Sequence, residues 1–121
     1  MLIAVWIVTA LLALANLGAG GMKLFSPVPA LCQRLPWAEE VGTVPTRLIG
    51  LAEVLGAIGV VLPALLHIAP ILTPVAAVGL GVIQLAAIVF HLRRGEGKNV
   101  PANIVLLALA VFVAVARFAG A

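Results

Sequence analysis

The stretch VLGAIGVVLPALLHIAPILTPVAAVGLGVIQLAAIVFHL, from Val54 to Leu92, contains no Asp, Glu, Lys or Arg. As one α-helix it would run to about 60 Å, roughly twice the hydrocarbon core of a bilayer. It therefore has to turn. Pro63, His67, Pro70, Thr73 and Pro74 mark the place, which predicts one helix ending near Leu66 and another beginning near Ile71. Upstream, Arg47 to Leu66 makes a full crossing interrupted by Glu53, with Thr46 as the expected N-cap.

The flanks follow the same pattern. Met1 to Met22 carries no charged side chain and only Thr9 and Asn16 as clear polar interruptions, ending at Lys23. A cleavable signal peptide needs a basic start and a short apolar core. This segment has neither, so a retained first helix is expected. Ser26 to Pro45 holds four prolines together with Arg34, Glu39 and Glu40, too many breaks for a continuous helix. Trp37 in that loop suits a membrane interface. The helix ending at Arg93-Arg94-Gly95 is followed by a short loop to Asn99, and Pro101 suits the first turn of a last helix. The expectation is an all-α, four-transmembrane-helix bundle with short loops. One domain is expected over 1–121, with helices at about 2–23, 47–66, 71–92 and 101–118.

Composition agrees. Of 121 residues, 64% are apolar and 9% charged, against about 45–50% and 25% in soluble domains. That excludes a soluble enzyme, a nucleic-acid-binding module and a disordered tail. The net charge of +3 rests on seven Lys and Arg spread along the chain, which make no dense phosphate-binding patch. They serve better as a topology signal. Lys23, Arg34, Arg47, Arg93, Arg94 and Lys98 fall on the side of loops one and three, and Arg117 alone on the other. The positive-inside rule then places loops one and three in the cytoplasm and both termini outside, in a bacterial-type cytoplasmic membrane. The lone cysteine, Cys32, permits no internal disulfide and no CxxC motif.

Some polar residues do not belong in lipid. Glu53 sits about 10 Å into its helix, where an unpaired charge costs at least a few kcal/mol. Asn16 and Gln84 reach a similar depth on the first and third helices. Asn16 and Lys23 are seven residues apart, as are Gln84 and His91, so each pair shares a helix face. Asn103 and Arg117 are two such steps apart. Gly50, Gly56 and Gly59 flank Glu53 at three-residue steps, which lets a neighbouring backbone approach. These spacings predict a polar pocket open to the cytoplasmic side. Its floor is Glu53, and Lys23, Arg47, His91 and Asn103 stand near its mouth. Lys23 and Arg47 also suit snorkelling anchors, Asn16, Gln84 and Asn103 suit helix–helix contacts, Arg117 suits an outer-face anchor, and His67 suits a solvated turn. No HExxH, GxSxG or phosphate loop occurs, and no metal site is expected. His67 and His91 fall on opposite sides, so they cannot share a haem.

Several motifs, in order, are similar to those of a known family. They are Gly20-Gly21-Met22-Lys23-Leu24, the run from Arg47 through Glu53 to Ala57, Phe90-His91-Leu92-Arg93-Arg94-Gly95-Glu96, Asn103-Ile104-Val105-Leu106-Leu107, and Arg117-Phe118. Together they resemble the DoxX-like family of small four-helix membrane proteins. The family takes its name from a membrane subunit of a thiosulfate:quinone oxidoreductase, and other relatives are linked to membrane redox and oxidative-stress systems. The resemblance would carry the family's polar positions onto Lys23, Arg47, Glu53, His91, Asn103 and Arg117. Cys32 alone gives no support for dithiol chemistry here.

Three functional expectations follow. In the first, a redox-linked membrane subunit holds a quinone or similar lipophilic molecule. Glu53 and His91 exchange protons with it, Lys23 or Arg47 steadies an anionic oxygen, and Asn16, Gln84 and Asn103 line the pocket. In the second, a stand-alone enzyme uses Glu53 as general acid or base on an epoxide, a terpenoid or an N-oxygenated metabolite. In the third, the polar cluster only specifies helix packing in a complex. Expected partners are membrane lipid, a lipophilic small molecule, a redox partner protein and further copies of the chain, with no nucleic acid.

Overall fold

The computed structural model describes residues 2–27, 29–30, 35, 41–97 and 100–120. The expectations placed on Cys32, Arg34, Pro36, Trp37, Glu39, Glu40 and Lys98 lie outside them. Four helices carry the described chain: α1 (Leu2–Phe25), α2 (Thr43–Leu66), α3 (Leu72–Arg93) and α4 (Val100–Phe118). Each contains an 18-residue window of mean hydropathy 2.2. Their lengths of 24, 24, 22 and 19 residues correspond to about 28–36 Å of helix, enough to cross a bilayer. This is an integral membrane protein built as an all-α four-helix bundle.

The helices form a ring in which α1 packs on α2, α2 on α3, α3 on α4 and α4 back on α1. The α1–α2 and α3–α4 contacts are the extensive ones. Consecutive helices run antiparallel: Gly20 lies on Gly50, Gly56 on Leu80, Gly59 on Ala76, and Gly81 beside Leu107 and Ala110. The centre is apolar, with Leu12, Val60, Leu80 and Val113 fully enclosed.

Burial is inverted relative to a water-soluble bundle. Ile3, Leu14, Phe25, Val44 and Val115 face outward, whereas Thr9, Asn16, Thr46, Glu53, Thr73, Gln84 and His91 are buried. Lipid is as apolar as a core, so burying leucine gains little there and hiding polar groups gains much. The buried positions still recur at helical spacing: Val5, Thr9, Leu12, Ala13, Asn16 and Gly20 on α1, and Thr46, Gly50, Glu53, Ala57 and Val60 on α2.

Helix α2 begins before the expected point, which corrects the role given to Thr46. Its N-cap is Gly42, and Pro45 falls within the first turn, where the missing N–H is no loss. Thr46 lies inside the helix, and its hydroxyl donates to the Gly42 carbonyl at 2.8 Å. At the far end Pro63 sits within α2, one turn before it closes. The turn into α3 uses left-handed backbone at His67 (φ 55°) and Ala69 (φ 45°), and the Ile68 N–H donates to the Pro63 carbonyl at 3.2 Å.

Candidate functional site

A close crossing of α1 and α2 supports an ion pair between the two helices. A Cβ on Gly20 would lie 2.6 Å from the Gly50 carbonyl oxygen, and one on Gly50 would lie 2.7 Å from Lys23 Cβ. Without side chains between them the two backbones nearly touch, and Lys23 Nζ donates to Glu53 Oε1 across the seam. The side chains are 13% and 3% exposed, so the pair is buried. A charge this deep is tolerated when its partner is this near.

Arg47 stands one to two turns before Glu53 and does different work. Its guanidinium donates to the carbonyls of Lys23 (3.1 Å), Leu24 and Ser26 (2.9 Å). Those are the acceptors a helix C-terminus leaves unpaired. Arg47 thus caps α1 and fixes the register that brings Lys23 to Glu53.

Asn16 and Gln84 approach the same layer from α1 and α3. Asn16 lies one turn from Gly20, whose added Cβ would sit 3.1 Å from Glu53 Cβ. Leu80 packs on Gly56, so one turn further Gln84 comes to the level of Glu53. Both amides are fully or nearly fully buried. The Asn16 Nδ2 donates to the Leu12 carbonyl at 2.8 Å, but Asn16 Oδ1 and Gln84 Oε1 have no hydrogen-bond partner. Two buried acceptors within about one helical turn of the Glu53 level thus lack donors.

His91 closes the same end of α3 through a partner that the sequence reading did not single out. Gly95 takes a positive φ of 73°. The Gly95 N–H donates to the Leu92 carbonyl (3.2 Å) and the Glu96 N–H to the His91 carbonyl (2.8 Å). This is a Schellman ending, which folds the residue after the glycine back onto the last turn. Glu96 Oε1 consequently lies 3.0 Å from His91 Nδ1 and 3.0 Å from Arg94 Nε. The His91 hydrogen bond, the largest influence, together with the Arg94 hydrogen bond and the charges of both partners, holds the Glu96 carboxyl below its usual range, against desolvation, which pushes it the other way. Arg94 also lies 5.7 Å from the centre of the Phe90 ring. The legible signal was the His91…Gly95-Glu96 spacing itself, since a glycine just past a helix end returns the next residue to that turn. Met22, Leu35, Val41, Ile49 and Phe90 pack together as an apolar cluster at this end.

Asn103 is half-buried on the first turn of α4. Arg117 belongs to the opposite end, its guanidinium carbon 4.7 Å from the centre of the Trp6 ring, and His67 is exposed in the turn there. Among the described residues no group of three His, Cys, Asp or Glu side chains is placed to hold a metal.

The family model described as the DoxX-like family matches residues 7–113. The chain belongs to the DoxX-like family. No curated protein and no solved structure matches it. In this DoxX-like chain the matched span includes Lys23, Arg47, Glu53, Gln84, His91, Glu96 and Asn103, and stops short of Arg117. The polar end that joins α1, α2 and α3 thus lies wholly within the part that defines the family.

Proposed function

We propose that this DoxX-like protein is a redox-linked membrane subunit that binds a quinone or quinol at the Glu53 end. One observation supports the reading: the buried oxygens of Asn16 and Gln84 have no hydrogen-bond donor, and both residues stand within about one helical turn of the Glu53 level. They fit a lipophilic molecule bearing hydroxyl donors. Bound there, a quinone would supply two-electron, two-proton exchange, with a redox partner protein taking or giving the electrons. The chain's own part is proton handling. The Asn16 and Gln84 oxygens orient hydroxyls, Glu53 takes or gives a proton at its carboxylate, and Lys23 offsets the charge left behind. His91 and Glu96 lie nearer the membrane surface, in position to pass that proton to water. The basic loops at this end support a cytoplasmic face for it.

The test is titration of the reconstituted protein with menaquinol and ubiquinol, beside menaquinone and ubiquinone. Saturable binding is expected, weakened about tenfold or more in Glu53→Gln, the size of one charge-assisted hydrogen bond. Binding indifferent to that substitution rejects the proposal. The close Gly20–Gly50 crossing favours a second reading, in which the pair only clamps α1 to α2. The double variant Lys23→Met/Glu53→Met separates the two. A clamp is replaced by apolar packing with little loss of stability, since the pair's desolvation cost disappears with it, whereas a binding site loses its ligand.

A further inference from the structure

Hydrogen-bond donors and acceptors are unequally used at the Glu53 end. Donors are spent within the chain: the Lys23 ammonium on Glu53, the Arg47 guanidinium on the carbonyls of Lys23, Leu24 and Ser26, and the Thr46 hydroxyl on the Gly42 carbonyl. Acceptors are left over. Asn16 Oδ1 and Gln84 Oε1 have no partner, and with Asn16 0% and Gln84 3% exposed, bulk water does not supply one. A buried polar group in that condition is costly until a donor arrives.

The two amides are not equivalent. Asn16 Nδ2 donates to the Leu12 carbonyl at 2.8 Å, and turning the amide over would set oxygen against oxygen. Its orientation is therefore fixed, with the oxygen as the group it offers a guest. Gln84 carries a nitrogen beside its oxygen on a longer side chain, and can turn either to a guest. The ligand class of the quinone reading exists in two forms that differ in this respect. The oxidised ring bears two carbonyls, which only accept. Uptake of two electrons and two protons converts them to hydroxyls, which donate. Against Asn16 Oδ1 a carbonyl leaves both oxygens unmet, whereas a hydroxyl satisfies the amide. We propose that Asn16 makes this site selective for the reduced, hydroquinone form of its ligand. The inference deepens the quinone reading and rests on it. Tighter holding of the reduced form raises the midpoint potential of the bound couple, so a bound quinone draws electrons from a partner more readily than a free one.

The experiment compares menaquinone, menaquinol and the dimethyl ether of menaquinol on the reconstituted full chain without oxygen. The ether keeps the reduced ring and has no O–H. Menaquinol should bind about tenfold more tightly than either of the others, the cost of one buried acceptor left without a donor. The midpoint of the bound couple should rise by about 30 mV, the same ratio converted for two electrons. Asn16→Leu should abolish the preference without weakening menaquinone, a result that a merely structural role for Asn16 does not give. Gln84→Met should weaken both forms and keep the preference. Equal binding of quinol and quinone, an ether that binds as tightly as the quinol, or an Asn16→Leu chain that keeps the preference overturns the inference and leaves the quinone site standing. Absence of saturable binding by every form overturns both. The ether comparison needs no substitution, so it decides the matter even where Asn16→Leu fails to fold.

Discussion

Glu96 bonds to His91 and Arg94 in the folded chain and has neither partner when unfolded, so its carboxyl holds its proton less tightly in the native state. A carboxyl with a depressed native pKa stabilises the fold above the ordinary carboxylate range. That contribution disappears as pH falls through the depressed value. Thermal unfolding in detergent, followed against pH, should show stability declining on the acid side in the parent protein. Glu96→Gln should flatten that decline and lower the plateau above it. An unchanged acid limb would mean the Glu96 contacts do not persist in solution. Glu96 was legible only as part of a motif. Hydropathy and depth counting find groups inside the span, and Glu96 matters because a turn brings it back to one. Glu53 was the reverse case: a carboxylate in an apolar run could only turn inward, and Lys23, at the end of the preceding helix, was within reach.

The α1–α2 seam depends on backbone proximity. Gly20→Ala places a methyl 2.6 Å from the Gly50 oxygen and 2.8 Å from Val54 Cγ2. One of those contacts is rigid backbone, so the helices must separate, at a cost of about 1–3 kcal/mol. Gly21→Ala meets nothing within 4 Å and should instead raise stability by up to about 1 kcal/mol through helix propensity. Unfolding midpoints of the two variants check the contrast; equal effects would argue against so close a crossing. Periodicity announced this seam, since Gly50 lies one turn before Glu53. It did not announce where α2 begins. Proline density marked Pro45 as loop, yet a proline in a first turn is no obstacle, and the helix starts at Thr43 with Thr46 enclosed inside it.

On the scale of the whole molecule, the antiparallel ring puts the α1–α2 and α3–α4 loops at one end and the α2–α3 turn at the other. The number and order of the spans were legible because length and hydropathy together leave few alternatives at 121 residues. Spacing brought both Lys23 and Arg47 within reach of Glu53 but did not choose between them, since the choice depends on crossing distances that one-dimensional spacing does not contain. The charge bias expects the two-loop end to be cytoplasmic. In a Cys32→Ser background, a cysteine placed at Gly97 should be shielded from an impermeant maleimide in intact cells, and one placed at Ile68 should react. The opposite pattern reverses the orientation, and labelling of both contradicts the span count.

The unequal seams around the ring have a mechanical consequence. The bundle is in effect two hairpins, α1–α2 and α3–α4, joined through the short α2–α3 turn and meeting again where α1 and α4 share the least contact of the four neighbouring pairs. Rocking one hairpin against the other separates that least-held edge before any other. The parting would face the acyl chains sideways, giving a lipid-soluble guest a doorway into the interior that never crosses water.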